Sequence, residues 1–203
     1  MDKYVTEGIG TFFLVLTVGL CAHLGPLAPA AVGCVLMAVI YAGGHISAAH
    51  YNPVVTVAFW RCGRCPAGDI APYIGAQLTG AALASGAAFV LAGAPAPGAE
   101  SRLGAAFLAE TLFTFALVWV ILNVAAAHGT AGNPFYGAAI ATVVVAGAYA
   151  VGPISGAVFN PAVGLGLCLM GIVDWASLWL YLAAPLLGAL VAAAVFKVFV
   201  AIR

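Results

Sequence analysis

Charge is what this sequence has least of. Six basic and six acidic residues are spread over 203 positions, and formally they cancel. A water-soluble domain draws about a quarter of its residues from Asp, Glu, Lys and Arg, so this chain cannot cover itself for water and must meet lipid on most sides. The same balance leaves no basic surface for a nucleic-acid partner. The five cysteines, Cys21, Cys34, Cys62, Cys65 and Cys168, are odd in number and mostly set in apolar stretches, so they describe no disulfide framework. Ten-residue segments of alternating polarity are missing, which excludes a membrane β-barrel. Missing too are a His-Glu-x-x-His pair and a nucleophile beside a base, so no catalytic residue, metal ligand or cofactor is expected. Met1-Asp2-Lys3 runs into apolar sequence without a small-residue cleavage site, and that first segment is read as retained.

Apolar residues fill the space that charge leaves. They make up 65% of the chain, mean hydropathy is +1.16, and 25 glycines accompany many alanines. That mixture belongs to a bundle of membrane helices, where small residues let backbones approach closely. Apolar runs of helix length are expected at about residues 4–24, 30–44, 70–92, 103–126, 135–152 and 176–200. A polar break, Arg61-Cys62-Gly63-Arg64-Cys65-Pro66, and a turn-rich stretch from Gly93 to Gly98 punctuate the first half.

The chain writes one short stretch twice. Gly44-His45-Ile46-Ser47, leading to Tyr51-Asn52-Pro53-Val54-Val55, returns 108 residues later as Gly152-Pro153-Ile154-Ser155, leading to Phe159-Asn160-Pro161-Ala162-Val163. Tyr73, Gln77 and Gly80 fall on Tyr181, Pro185 and Gly188 at the same offset, and Glu7 with Thr11-Phe12 echoes Glu110 with Thr114-Phe115. Each half carries three spans and one short segment. Three is odd, so the second half enters the bilayer reversed. The result is an inverted repeat, approximately 1–98 and 99–203, inside one transmembrane domain 1–203. With both termini cytoplasmic, Lys3, Arg61, Arg64, Lys197 and Arg203 lie inside and only Arg102 lies outside, as the positive-inside rule prefers.

Neither Asn52 nor Asn160 is followed by enough apolar residues to cross a bilayer, which takes about 20 in a helix. Asn followed by Pro is a helix-start signal. Each copy is therefore predicted to be a loop that dips in, extended over 46–51 or 154–159, followed by a half-helix that returns to the same side. Irregular backbone at that depth must be buried in protein or line a water-filled cavity. The inverted symmetry brings the two half-helix N-termini together near the midplane, each with about half a positive charge. Asn amides would donate to a passing neutral solute, loop carbonyls would accept from it, and cations or hydronium would meet a positive barrier. That describes a passive pore for small uncharged solutes. Two helix caps in a closed, non-conducting bundle are the bland alternative.

On these residues the chain resembles the aquaporin and aquaglyceroporin family (major intrinsic proteins), as a short, bacterial-type member. The resemblance is carried by Glu7-x-x-x-Thr11-Phe12-Phe13, Gly44-His45-Ile46-Ser47, Asn52-Pro53-Val54, Tyr73-x-x-x-Gln77, Glu110-x-x-x-Thr114 and Asn160-Pro161-Ala162. It implies an all-α membrane protein of six transmembrane helices and two re-entrant half-helices. It also implies one pore per protomer, a homotetramer, and residence in the plasma (inner) membrane. Glu7 and Glu110 look like the family's buried glutamates that brace the dipping loops. His45 is expected to pack on or hydrogen-bond the loop backbone.

Departures from the family bear on the solute. Val54 stands where the family usually has Ala. Val163 stands where it typically has Arg, and Gly164 where glycerol channels often add Asp. Counted from the two motifs, Val32, Ala148 and Ala157 complete the outer constriction, Ala148 where water-selective members usually carry His. Four aliphatic side chains make a wider ring that donates poorly. The expected solute is larger or less polar than water, such as a polyol, urea or a neutral metalloid hydroxide of the arsenite kind, with water also passing. The missing Arg leaves proton and cation exclusion to the Asn-Pro site.

The remaining reactive side chains have ordinary readings beside functional ones. Cys62-Gly63-Arg64-Cys65 reads as two loop thiols, with redox or metalloid regulation as the alternative. His45 and His50 flank the first loop, and His128 lies between the fourth and fifth spans; each is a candidate for pH gating. The competing functions are a water-selective channel, a non-conducting junction protein, and a coupled transporter. A coupled transporter would place unpaired carboxylates on its path, and only Glu7 and Glu110 qualify.

Overall fold

Backbone amides in hydrocarbon have no water to bond, so a chain this apolar pairs them internally in helices. The structure, a computed structural model, describes residues 1–93 and 102–199, and these contain eight α-helices and no strand. They are α1 (Asp2–Cys21), α2 (Ala28–Ser47), α3 (Pro53–Arg61), α4 (Ala67–Ala92), α5 (Leu103–Ala125), α6 (Tyr136–Ser155), α7 (Pro161–Leu169) and α8 (Leu178–Phe199). Six are long and apolar enough to cross a membrane. α3 and α7, nine residues each, are too short: about 1.5 Å per residue leaves them at less than half of a ~30 Å hydrocarbon core. The turn-rich segment at Pro95 and Pro97, the repeat boundary at 98–99, Val200 and Arg203 lie outside the described residues.

The two dipping loops are shorter than expected. Helix continues through Ile46-Ser47 and Ile154-Ser155, and the irregular backbone begins only at Ala48 and Gly156. Those two residues take left-handed conformations, φ 65° and 83°, and return their N–H groups to the carbonyls of Gly44 and Gly152. Each helix thus ends in a left-handed cap that satisfies a terminal carbonyl.

Packing follows the repeat. α1 lies along α4 and α5 along α8, the two most extensive pairings, while α2 crosses α6. The pairs close at Gly80 and Gly188. A Cβ on Gly80 would stand 2.3 Å from the Gly8 carbonyl oxygen, and one on Gly188 2.3 Å from that of Thr111. Each half-helix leans mainly on the other half of the chain, α3 on α8 and α7 on α4. Lys3 and the Tyr4 hydroxyl both reach Asp69, at 2.6 and 2.8 Å, tying the starts of α1 and α4 together. That end of the bundle is called the Lys3 end below, and the α1–α2 turn marks the far end.

Candidate functional site

Asn52 and Asn160 are N-caps. Their backbones are extended (φ −157° and −153°), proline follows each, and each Oδ1 accepts the N–H two residues on, from Val54 at 3.1 Å and Ala162 at 2.9 Å. Their amide nitrogens cross over. Asn52 Nδ2 donates to the Phe159 carbonyl at 3.0 Å, and Asn160 Nδ2 donates to the Tyr51 carbonyl at 2.9 Å. A side-chain amide has two hydrogens, so each Asn keeps one for the cavity. Both residues are nearly buried, 4% and 5% exposed, and both line that cavity.

Glu7 and Glu110, fully buried, set the loops ahead of the caps. Glu7 Oε1 accepts from Ser47 Oγ (2.7 Å) and the His50 N–H (2.9 Å), and its Oε2 accepts from the Tyr51 N–H (2.7 Å) and Gln77 Nε2 (2.8 Å). Glu110 accepts from Ser155 Oγ, the Val158 N–H and the Phe159 N–H, at 2.7, 2.9 and 2.6 Å. Ser47 and Ser155 each take one further loop N–H, from Ala49 and Ala157. Tyr73 and Tyr181 donate to the Ser47 and Ser155 carbonyls at 2.9 and 2.8 Å. These bonds hold Ala48, Ala49, Tyr51, Ala157 and Phe159 at positive φ, a conformation that costs a non-glycine residue roughly 1–2 kcal/mol.

With the loop N–H groups turned into protein, the carbonyls have nowhere else to go. Those of Ala48, Ala49, His50, Gly156, Ala157 and Val158 accept no hydrogen bond from the described residues, and all six residues line the cavity. Ala48 and Gly156 are exposed to the cavity and His50 and Val158 are buried, so water or a solute in the cavity is the partner left for these carbonyls. The cavity measures about 1230 Å³ and reaches both ends. Opposite the carbonyls its wall is aliphatic, with Leu14 and Val18 of α1, Leu36 of α2, and Leu117 and Ile121 of α5. Among the described residues no Lys or Arg borders it.

Val32 of α2, Ala148 of α6, Ala157 of the second loop and Val163 of α7 border this same cavity, and Val163 is only 4% exposed. Val54, the unusual member of the first Asn-Pro triplet, is buried in the core, as is Ala162.

His45 departs from its expected place. It lies in the last turn of α2, exposed at the cavity's Lys3 end, and makes no hydrogen bond among the described residues, so it does not brace the loop. Gln77 and Tyr73 perform that task, because α4 passes directly behind the loop. His50 is inside, its ring 4.5 Å from that of Phe59 and 5.1 Å from that of Tyr73, with Nδ1 3.1 Å from Thr56 Oγ1. His128 Nε2 sits 3.5 Å from Arg64 Nη2 at the Lys3 end.

Cys62 and Cys65 turn to separate carbonyls, those of Ala193 and Pro66, and burial pushes both thiols above the ordinary range. Among the described residues no group of His, Cys, Asp or Glu could hold a metal. Two aromatic residues escaped the sequence reading. Tyr149, at the far mouth, donates to the Pro26 carbonyl at 2.7 Å, and Tyr136 borders the cavity at the Lys3 end. Their nearness to span ends was the only signal.

The profile of the family described as Major intrinsic protein matches residues 1–196. Nodulin-26 of Glycine max is 34% identical over 217 residues, covering 98% of this chain and 78% of that one. Aquaporin NIP1-1 of Oryza sativa subsp. japonica is 32% identical over 212 residues, covering 98% and 74%. Among solved structures, the aquaglyceroporin from Plasmodium falciparum superposes with a TM-score of 0.83 at 19% identity, covering 97% of this chain and 95% of that one.

Proposed function

We propose, from the premise that this chain belongs to the major intrinsic protein family, that its channel is wide and passes small uncharged solutes beyond water. The chain is an integral membrane channel and not an enzyme. The solutes proposed are polyols, urea or neutral metalloid hydroxides, with water passing as well. The observation that carries the reading is the composition of one ring. Val32, Ala148, Ala157 and Val163 offer no polar hydrogen and no charge to whatever crosses between them.

A ring built from Arg, His and an aromatic residue would strip water into single file and reject larger molecules. Aliphatic side chains leave size as the only criterion there, and polar recognition passes to the loop carbonyls and the two Asn amides. Charge exclusion then rests on the N-termini of α3 and α7, which meet at those Asn residues and together present about one positive charge. The proposed setting is the plasma membrane, with both termini cytoplasmic, one channel domain per protomer built as an inverted repeat, and four protomers assembled.

Flux into reconstituted vesicles tests the ring. The unmodified chain is expected to pass glycerol, urea and arsenite. Val163→Arg is expected to slow glycerol by about tenfold, the effect of roughly 1.4 kcal/mol on a barrier. Fast water flux without any of the three solutes would sink the proposal and leave an ordinary water channel.

A further inference from the structure

Most polar side chains along the cavity are already bonded within the protein. Tyr149 donates to the Pro26 carbonyl and Tyr51 to that of Val39, at 2.7 and 2.9 Å. Thr130 donates to the Asn123 carbonyl, and Asn133 Nδ2 is shared between the carbonyls of Val124 and Thr130 at 2.7 and 2.6 Å. At the far mouth Asp174 caps the turn that follows α7 through its Oδ1, while its Oδ2 and the Ser177 hydroxyl make no hydrogen bond among the described residues. At the Lys3 end three side chains keep a free polar atom. His50 Nε2 is buried beside the cavity without a hydrogen-bond partner among the described residues. The Tyr136 hydroxyl and the His45 imidazole border the cavity and make no hydrogen bond among the described residues.

Tyr136 is held there by its neighbours. It is the first residue of α6, and its ring meets the Tyr41 ring edge-on with centroids 5.2 Å apart. The Tyr41 hydroxyl donates to the Pro134 carbonyl at 3.0 Å and accepts the Ala138 N–H at 3.1 Å, fixing the chain on both sides of Tyr136. The Tyr136 hydroxyl lies against Gly44, where an added Cβ would stand 3.0 Å from it. Gly44 immediately precedes His45, so α2 and α6 bring a phenol and an imidazole to one end of the lane.

We propose that Tyr136 and His45 form a hydrogen-bonding station that selects solutes by their hydroxyl or amide groups after the aliphatic ring has admitted them by size. The station rests on the wide-ring reading above. A phenol donates and accepts, and a neutral imidazole does one at each nitrogen, so the pair can meet a solute hydroxyl in either role. A solute leaving the loop carbonyls exchanges them for these groups before it reaches bulk water. Where the partner is missing, a solute hydroxyl is left unpaired, and such sites discriminate strongly between molecules that differ by one hydroxyl.

Glycerol and propane-1,2-diol are close in size and differ by one hydroxyl, so their permeability ratio reads the station in vesicles holding the full chain. Tyr136→Phe is expected to lower the glycerol-to-propanediol ratio by about threefold to tenfold, the value of one hydrogen bond. Gly44→Ala, which crowds the hydroxyl, is expected to slow both solutes. Thr142→Val removes a hydroxyl from the same helix, one bonded to the Ala139 carbonyl away from the cavity, and is expected to keep the unmodified ratio. An unmodified ratio in Tyr136→Phe together with unmodified rates in Gly44→Ala overturns the station and leaves the ring intact. An equal fall in Thr142→Val also overturns it. Passage of neither solute by the unmodified chain overturns the ring and the station together.

Discussion

At the scale of residues, the two buried glutamates look interchangeable in sequence and are not so in their surroundings. Glu7 receives two donors on each oxygen, whereas Glu110 receives two on one oxygen and one on the other, because Pro185 stands where Gln77 reaches Glu7. An amide can turn its oxygen toward only one pair. In Glu7→Gln the new NH2 meets one fixed donor, the Tyr51 or the His50 N–H, and a second group, Gln77 or Ser47, that must turn to accept from it; in Glu110→Gln it need face only the Phe159 N–H. Both substitutions are expected to lower the melting temperature in detergent. Glu7→Gln should be the worse by about 1 kcal/mol, one lost hydrogen bond. Equal losses would mean that the Gln77 amide flips and turns its unpaired Oε1 to the new NH2, or that its contact with Glu7 contributes nothing. Residue identities of this kind were largely legible in advance, because Glu, Ser, Asn and Pro recur at fixed spacing. His45 was misplaced for a physical reason: its helix continues to Ser47, which turns the imidazole toward the mouth and away from the loop.

At the scale of elements, the repeat fixes where helices touch. On α8, Gly188 faces backbone, the Thr111 carbonyl oxygen at 2.3 Å and the Phe115 nitrogen at 2.9 Å from an added Cβ, so no side-chain rotation can make room. Gly188→Val is expected to separate α5 from α8 and to cost more than the ~1–3 kcal/mol of ordinary overpacking, read as lost yield of folded protein after detergent extraction. Gly86→Ala on exposed α4 surface, with nothing within 4 Å, is the matched control; it is expected to be neutral or to gain up to about 1 kcal/mol from helix propensity. Six spans and two short helices could be read from hydropathy and Asn-Pro punctuation. Their ends could not, since helix continuation into the loops depends on left-handed caps at Ala48 and Gly156. Nothing in apolar composition marks an alanine for that conformation.

At the scale of the whole molecule, charge is so sparse that orientation hangs on a handful of side chains. Lys3, Arg61, Arg64 and Lys197 lie with the Lys3 end and Arg102 precedes α5 on the opposite side, an arrangement that favours the Lys3 end in the cytoplasm. Reporters fused to the N- and C-termini are both expected to be cytoplasmic, and a signal from the opposite side of the membrane at either would reverse the assignment. What the sequence withheld at this scale was where within each loop the unpaired carbonyls begin and which polar side chains at the two mouths stay free. Both depend on contacts between distant helices.

The crossed amide bonds set a schedule for the chain's manufacture. Asn52 finds its carbonyl 107 residues later in the sequence, at Phe159. Ribosomes add about 5–20 residues per second, so roughly 5–20 s pass between the emergence of the donor and that of its acceptor. Through that interval the first loop is complete in covalent terms, yet its cap has one hand empty. The newborn first half therefore cannot finish its own centre, and insertion of the second half is the event that closes both.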